Sequence, residues 1–224
     1  MTNSPVIVSF YTKDTLYEKE VQNLIASCEQ LNLDFDIVSV PNLGDWNSNC
    51  HLKPPFILDR LKKHQRPVLW LDADSVILQK PTLFDETDNH FMVRMREEVD
   101  FDHFDKVITS TLYVKPTKVG INIVRKWCEE SIQFRDQFCD QECLKNALQK
   151  HNLTQLAKPI PINYCKIEGL DPKCDNMVIQ QFQASRLLKK IINKEVSEFA
   201  FLEGLSPSEM QKIRFSIDES PSNH

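Results

Sequence analysis

Apolar residues along this chain follow two rhythms, and the rhythms alternate. Val6 to Phe10 (VIVSF) is a short β-rich run directly after a proline, as a first strand is. From Thr15 to Leu31 the apolar positions Leu16, Val21, Leu24, Ile25 and Cys28 recur at helical spacing. Phe35 to Val40 (FDIVSV) alternates as a second strand does and stops at Pro41. The stretch NLGDWNSNCHLK is irregular, and Pro54-Pro55 then open a helix running to about His64. Proline suits a first helical turn because its missing N–H has no partner there anyway. Pro67 to Leu71 is almost wholly apolar, which predicts a third strand buried on both faces.

This order implies right-handed crossovers and a Rossmann-like α/β fold, with a mainly parallel central sheet and helices on both faces. In such sheets ligands bind beyond the carboxyl ends of the strands. Tyr11 and Thr12 follow the first strand there, and Asp72 and Asp74 follow the third. The second half is less regular. Phe91 to Arg94 and Val107 to Val114 read as strands, and Lys118 to Phe134 as a helix with Ile123 and Trp127 one turn apart. Asp140 to Lys150 reads as another helix, followed by the proline-broken LAKPIPINY. Met177 to Gln183 reads as a last strand, leading into an amphipathic helix from about Ser185. Ser206-Pro-Ser-Glu209 has the form of a capping box with proline at the first helical position. The expected layout is one domain over 1–205, then a short helix and polar tail over 206–224.

Composition narrows the classes. Hydrophobic residues at 41% and charged residues at 26% suit a globular core. A net charge of -5 speaks against a nucleic-acid binder, which shows a basic face. No apolar stretch nears the roughly 20 residues of a membrane span. MTNSPVIVSFYTKD has no basic region ahead of an apolar one, so no signal peptide is expected and the chain reads as cytoplasmic. Seven cysteines, with no CxxC and no zinc-like Cys/His spacing, read as reduced, partly buried thiols.

The chemistry concentrates in PVLWLDADSVIL, residues 67–78. Burying an unpaired carboxylate is unfavourable, so Asp72 and Asp74 require a partner. On an extended segment, carboxylates at i and i+2 point the same way and offer hard oxygen ligands suited to Mg²⁺ or Mn²⁺. The blander possibility is that one aspartate caps a turn and the other is solvated.

LGDWNSNCHLKPPFI, PVLWLDADSVI, DQECL and VIQQFQASR together resemble the small nucleotide-diphospho-sugar transferases of the GT-A glycosyltransferase fold. The resemblance covers most of residues 5 to 190. It implies a nucleotide-diphosphate sugar as donor, an acceptor of unknown kind, and a divalent metal held through Asp72 and Asp74. Asp140-Gln141 matches the pair that lies near sugar and acceptor in related retaining enzymes. Where many members supply a further ligand, often histidine, this chain reads Gln180-Gln181-Phe182-Gln183, which leaves Gln181 as a weak carbonyl ligand. Ser110 stands where such proteins tend to have glycine.

Other residues carry weaker signals. Lys53 precedes a helix whose amino end could face a diphosphate, or it is a solvated lysine beside a turn. Asp140 suits an N-cap as well as a site. Asn49 reads as a turn residue and Trp46 as a packing residue, while Tyr11 and Thr12 stand where a base would lie. Arg186 could reach a phosphate; His51, His90 and His103 are isolated. Two other classes compete. DADSVI also fits the nucleophile motif of haloacid-dehalogenase-type Mg²⁺-dependent phosphatases, which place it on the first strand. A GT-A-shaped binding protein with little turnover is the other.

Overall fold

The computed structural model describes residues 4–184 of the chain. Its centre is a six-stranded sheet in the order β2-β1-β3-β6-β5-β7. The strands are β1 (Val6–Thr12), β2 (Phe35–Val40), β3 (Val68–Leu71), β5 (Phe91–Met95), β6 (Val107–Val114) and β7 (Ala157–Pro159). β1 pairs in parallel with both β2 and β3, and β5 with β7, whereas β6 is antiparallel to β3 and β5. Five strands thus run one way and β6 alone runs back. The mainly parallel α/β sheet expected from the alternating rhythm is present.

Period-two alternation divides each strand between two apolar layers. Val6, Val8 and Phe10 of β1, Val68 and Trp70 of β3, and Leu112 and Val114 of β6 face one layer. Three helices close that side: α3 (Lys53–His64), α4 (Lys118–Phe134) and α5 (Asp140–Lys150), through Ile57, Leu61, Trp127 and Leu144. Ile7, Leu69, Leu71 and Tyr113 face the other layer. It is covered by α1 (Tyr17–Gln30), through Leu24 and Cys28, and by a small second sheet. That sheet has the order β4-β9-β8, with β4 Ser75–Ile77, β9 Ile179–Gln181 and β8 Lys166–Ile167. Burying one large apolar side chain stabilises by about 1.5–3 kcal/mol. Trp70 and Trp127 are the largest fully buried side chains and anchor the first layer.

Several elements differ from the sequence expectation. The stretch around Asp45 holds a short helix, α2 (Trp46–Cys50), with Asp45 as its N-cap accepting from the Ser48 amide at 2.9 Å. A five-residue helix shows no apolar period, so it was invisible to a rhythm search. The proline-broken LAKPIPINY contributes β7 at an edge, where a missing N–H does least harm. The expected strand over Met177 to Gln183 is shorter, and β4 and β8 were not expected at all. The helix from Ser185, Arg186, the capping box at Ser206 and the 205/206 boundary lie outside the described residues. Among the described residues, no helix is long and apolar enough to cross a membrane.

Candidate active site

Three elements end at one place. The first residue of α3, the end of β3 and the first residue of α5 meet around the Lys53 ammonium, which is buried. Its Nζ lies 3.0 Å from Asp72 Oδ1 and 2.9 Å from Asp140 Oδ2. A third donor reaches Thr109 Oγ1 on β6 at 3.2 Å, so all three ammonium protons have acceptors. Thr109 in turn donates to Asp140 Oδ2 at 2.9 Å, and Trp70 Nε1 donates to Asp72 Oδ1 at 2.9 Å. Burial alone would depress the Lys53 pKa; Asp140 and then Asp72 reverse this and raise it above its ordinary value. The lysine is therefore charged, and it is not the solvated residue that was one of the two expectations.

Asp140 is the first residue of α5 and not its N-cap, which is Cys139. Its carboxylate turns inward to Lys53 and Thr109. Trp127 Nε1 donates to its backbone oxygen at 2.7 Å, tying the helix start to α4. Gln141 points to the rim, where its Nε2 donates to Asp105 Oδ1 at 2.9 Å.

Asp72 to Ser75 is a turn, not the extended segment expected from i, i+2 spacing. The Ser75 amide donates to the Asp72 oxygen at 3.0 Å, and the chain reverses into β4. The Asp72 amide still pairs with the Ser110 oxygen at 3.0 Å, continuing the β3–β6 ladder by one bond. Asp72 keeps 31% of its side chain exposed, and no hydrogen bond among the described residues engages its Oδ2. Asp74 is buried and accepts through Oδ2 from the Ala184 amide.

Gln181 sits behind Asp74 on β9. Its Oε1 accepts from Ser75 Oγ at 2.5 Å, and its Nε2 donates to Thr111 Oγ1 at 2.9 Å. The carbonyl oxygen that would serve as a ligand thus already has a partner. Ser110 lies between, with Oγ 3.4 Å from Cys165 Sγ.

These groups line a cleft of about 390 Å³, in the size range of small-ligand sites. Tyr11, Thr12, Lys53, Asp72, Asp74, Asp140, Gln141 and Gln181 all contribute to it, so the candidates from both halves are brought together. Sequence reasoning missed Tyr17, Cys50 and Thr109, and it set Trp46 aside as packing. Trp46 also lines the cleft, and its side chain hydrogen-bonds that of Tyr17. Burial, and then the Asp74 charge, raise the Tyr17 hydroxyl well above its usual value, so it stays protonated. Burial and the Asp140 charge do the same to the Cys50 thiol. Asn49 lies within α2 and not in the turn expected, and its side chain ties down the preceding loop: it accepts from the Leu43 amide at 2.8 Å and donates to Asn42 Oδ1 at 2.9 Å.

The donor set bears on metal binding. Among the described residues, Asp72, Asp74 and Asp140 line the cleft with Lys53 as their ammonium, while Asp105 at the rim pairs with Arg96 at 3.6 Å, so oxygen ligands predominate there. Among the described residues no group of three His, Cys, Asp or Glu could hold a metal alone. Such a wall suits Mg²⁺ or Mn²⁺, which take one or two carboxylates plus substrate phosphates.

No protein-family model matches the chain, and no curated protein does. Solved structures do. One is a glycosyltransferase involved in the glycosylation of the major capsid of PBCV-1, at a TM-score of 0.61 and 13% identity, covering 95% of this chain and 100% of that one. Another is the glycosyltransferase GlyE of Streptococcus pneumoniae TIGR4, at a TM-score of 0.57 and 14% identity. That match covers 96% of this chain and 65% of GlyE. The chain has a GT-A-like glycosyltransferase fold, and the Lys53, Asp72, Asp74 and Asp140 cluster lies at the ends of its strands.

Proposed function

We propose that the protein transfers a sugar from a nucleotide-diphosphate sugar to an acceptor, with a divalent cation at Asp72 and Asp74. One observation carries this reading: a glycosyltransferase-like fold with a cleft at its strand ends, walled among the described residues by Asp72, Asp74 and Asp140 about the buried Lys53 ammonium. An anionic diphosphate would be repelled by that wall on its own, and a divalent cation turns the repulsion into attraction. Bound there, Mg²⁺ or Mn²⁺ supplies Lewis-acid stabilisation of the departing phosphate.

In this reading Asp72 presents its outward Oδ2 to the cation, and Asp74 sets the second edge. Lys53 holds Asp72 and Asp140 at a fixed separation and adds positive charge beside the diphosphate. Tyr11 and Thr12 flank the nucleoside, while Asp140 and Gln141 stand at the sugar and acceptor end. Gln181 keeps the wall in place through Ser75 and Thr111, and the second lone pair of its Oε1 is the weak further ligand. The phosphatase reading loses ground because the aspartates follow the third strand of a glycosyltransferase-like sheet.

A thermal-shift screen of nucleoside diphosphates with and without Mn²⁺ tests the proposal. A ligand at 100 times its Kd stabilises the native state by about 2.7 kcal/mol. At least one nucleotide should raise the melting temperature more with Mn²⁺ than without. No metal-dependent shift with any common nucleotide, or rapid hydrolysis of a generic phosphate ester lost in Asp72→Asn, overturns it.

A further inference from the structure

The loop between β5 and β6 is held far more firmly than a surface connection requires. Lys106 Nζ donates to the Arg96 and Val99 oxygens at 2.7 and 2.8 Å, closing the loop on itself. From outside, one stripe of α5 clamps it. Gln141 donates to Asp105 Oδ1 at 2.9 Å, Lys145 to the Asp102 oxygen at 2.9 Å, and Gln149 to Asp102 Oδ1 at 3.3 Å. Those three residues are four apart, so they lie along one face of the helix. Lys145 is itself buried, and its Nζ is held by a loop carbonyl.

What the clamped loop presents is an aromatic stack. The His103 and Phe104 rings lie 4.6 Å apart at 25°. His103 Nδ1 accepts from the Asp105 amide at 3.1 Å, which fixes the backing ring. Phe104 remains 54% exposed. Its neighbour Asp105 lines the cleft, and the cleft residue Gln141 reaches the Phe104 oxygen at 3.5 Å.

We propose that the Phe104 face is the acceptor subsite of the cleft and takes a neutral sugar ring; this rests on the reading of the protein as a glycosyltransferase. A pyranose offers an apolar face of axial C–H groups, which packs on an aromatic ring, and a rim of hydroxyls. Asp105 accepts from such hydroxyls and Gln141 both donates and accepts. The loop also carries exposed Glu97, Glu98, Asp100 and Asp102, which repel phosphorylated or carboxylated acceptors. Firm bracing serves this role because a platform already in place loses little entropy when a ligand lands on it.

The test is binding of the full chain to an array of immobilised neutral and sialylated oligosaccharides, for wild type, Phe104→Ala and Phe104→Trp. Wild type should prefer neutral saccharides. Phe104→Ala should lose at least tenfold in signal with an unchanged melting temperature. Phe104→Trp should retain binding, and its added fluorescence should shift when the best-bound saccharide is supplied in solution. Equal binding by Phe104→Ala, preference for sialylated sugars, or no saccharide bound by wild type overturns the proposal. The nucleotide screen judges the donor site separately, so either result can fail while the other stands.

Discussion

Two charge clusters on this protein are built in opposite senses. On β2, one carboxylate collects the cations Arg60 and Lys63, each 2.8 Å from Asp36 Oδ2, with the His64 ring at 2.7 Å. In the cleft, one cation collects carboxylates, and Asp74 adds more negative charge nearby. At Asp36 burial works against ionisation, but hydrogen bonds from Lys63, Arg60 and His64 outweigh it and lower the pKa to about 2. That cluster is electrostatically complete, and it braces β2 against α3. In the cleft cluster, among the described residues, the carboxylates Asp72, Asp74 and Asp140 outnumber the Lys53 ammonium inside a concave wall. A completed cluster stabilises a fold, whereas an incomplete one is a place for a ligand.

The sharpest way to break this contrast is Lys53→Met. It leaves Asp72 and Asp140 facing each other without their shared cation. Removing one partner of a buried ion pair is strongly destabilising, and we expect a loss of about 3 kcal/mol in urea unfolding. Mn²⁺ should restore part of that loss, because a cation can take the vacated charge role. An unaltered urea midpoint would show that the ammonium contributes nothing to holding the two aspartates.

Asp36→Asn should cost about 1 kcal/mol at neutral pH and leave nucleotide response untouched. Its pH dependence has a definite sign. The folded pKa of about 2 lies below the ordinary carboxylate value of 3.8, so the stabilisation is full above pH 4. It falls away as the pH drops from about 4 to about 2, where wild type and variant should converge. A constant difference across that window would remove the ion-pair account.

Asp74→Asn should cost the apo protein no more than about 1 kcal/mol, since it exchanges a charged acceptor for a neutral one. The amide oxygen still accepts from Ala184, and one like charge is removed from the wall. Mn²⁺-dependent nucleotide affinity should nonetheless fall at least tenfold. Isothermal titration and apo melting on the same sample separate the outcomes. A clearly destabilised variant with unchanged affinity would make Asp74 a structural residue.

Much of the fold was legible in sequence because it rests on local periodicity. Strands β1 to β3 and helices α1, α3, α4 and α5 follow from apolar spacing and from prolines at their ends. Elements that lack a period were not legible. Five residues of α2, three of β4 and two of β8 are too short to show one, and long-range pairing holds them in place. The extended reading of Asp72-Ala73-Asp74 failed because the turn is set by Ser75, whose hydroxyl and amide bond back to Asp72 while its strand pairs with Gln181.

By itself, then, the sequence determined which residues could do chemistry: a lysine at a helix start, aspartates after a buried strand, an Asp-Gln pair at another helix start. Residue type and position within an element suffice for that, since hard oxygens and ammonium groups carry their chemistry wherever they stand. Only the tertiary structure decided that Lys53 joins Asp72 to Asp140, across chain separations no local pattern spans. It also decided that the Gln181 oxygen and the Asp72 carbonyl share the one Ser75 hydroxyl proton. Such partnerships depend on where strand ends and helix starts converge, and that convergence is set by the packing of two apolar layers on one sheet.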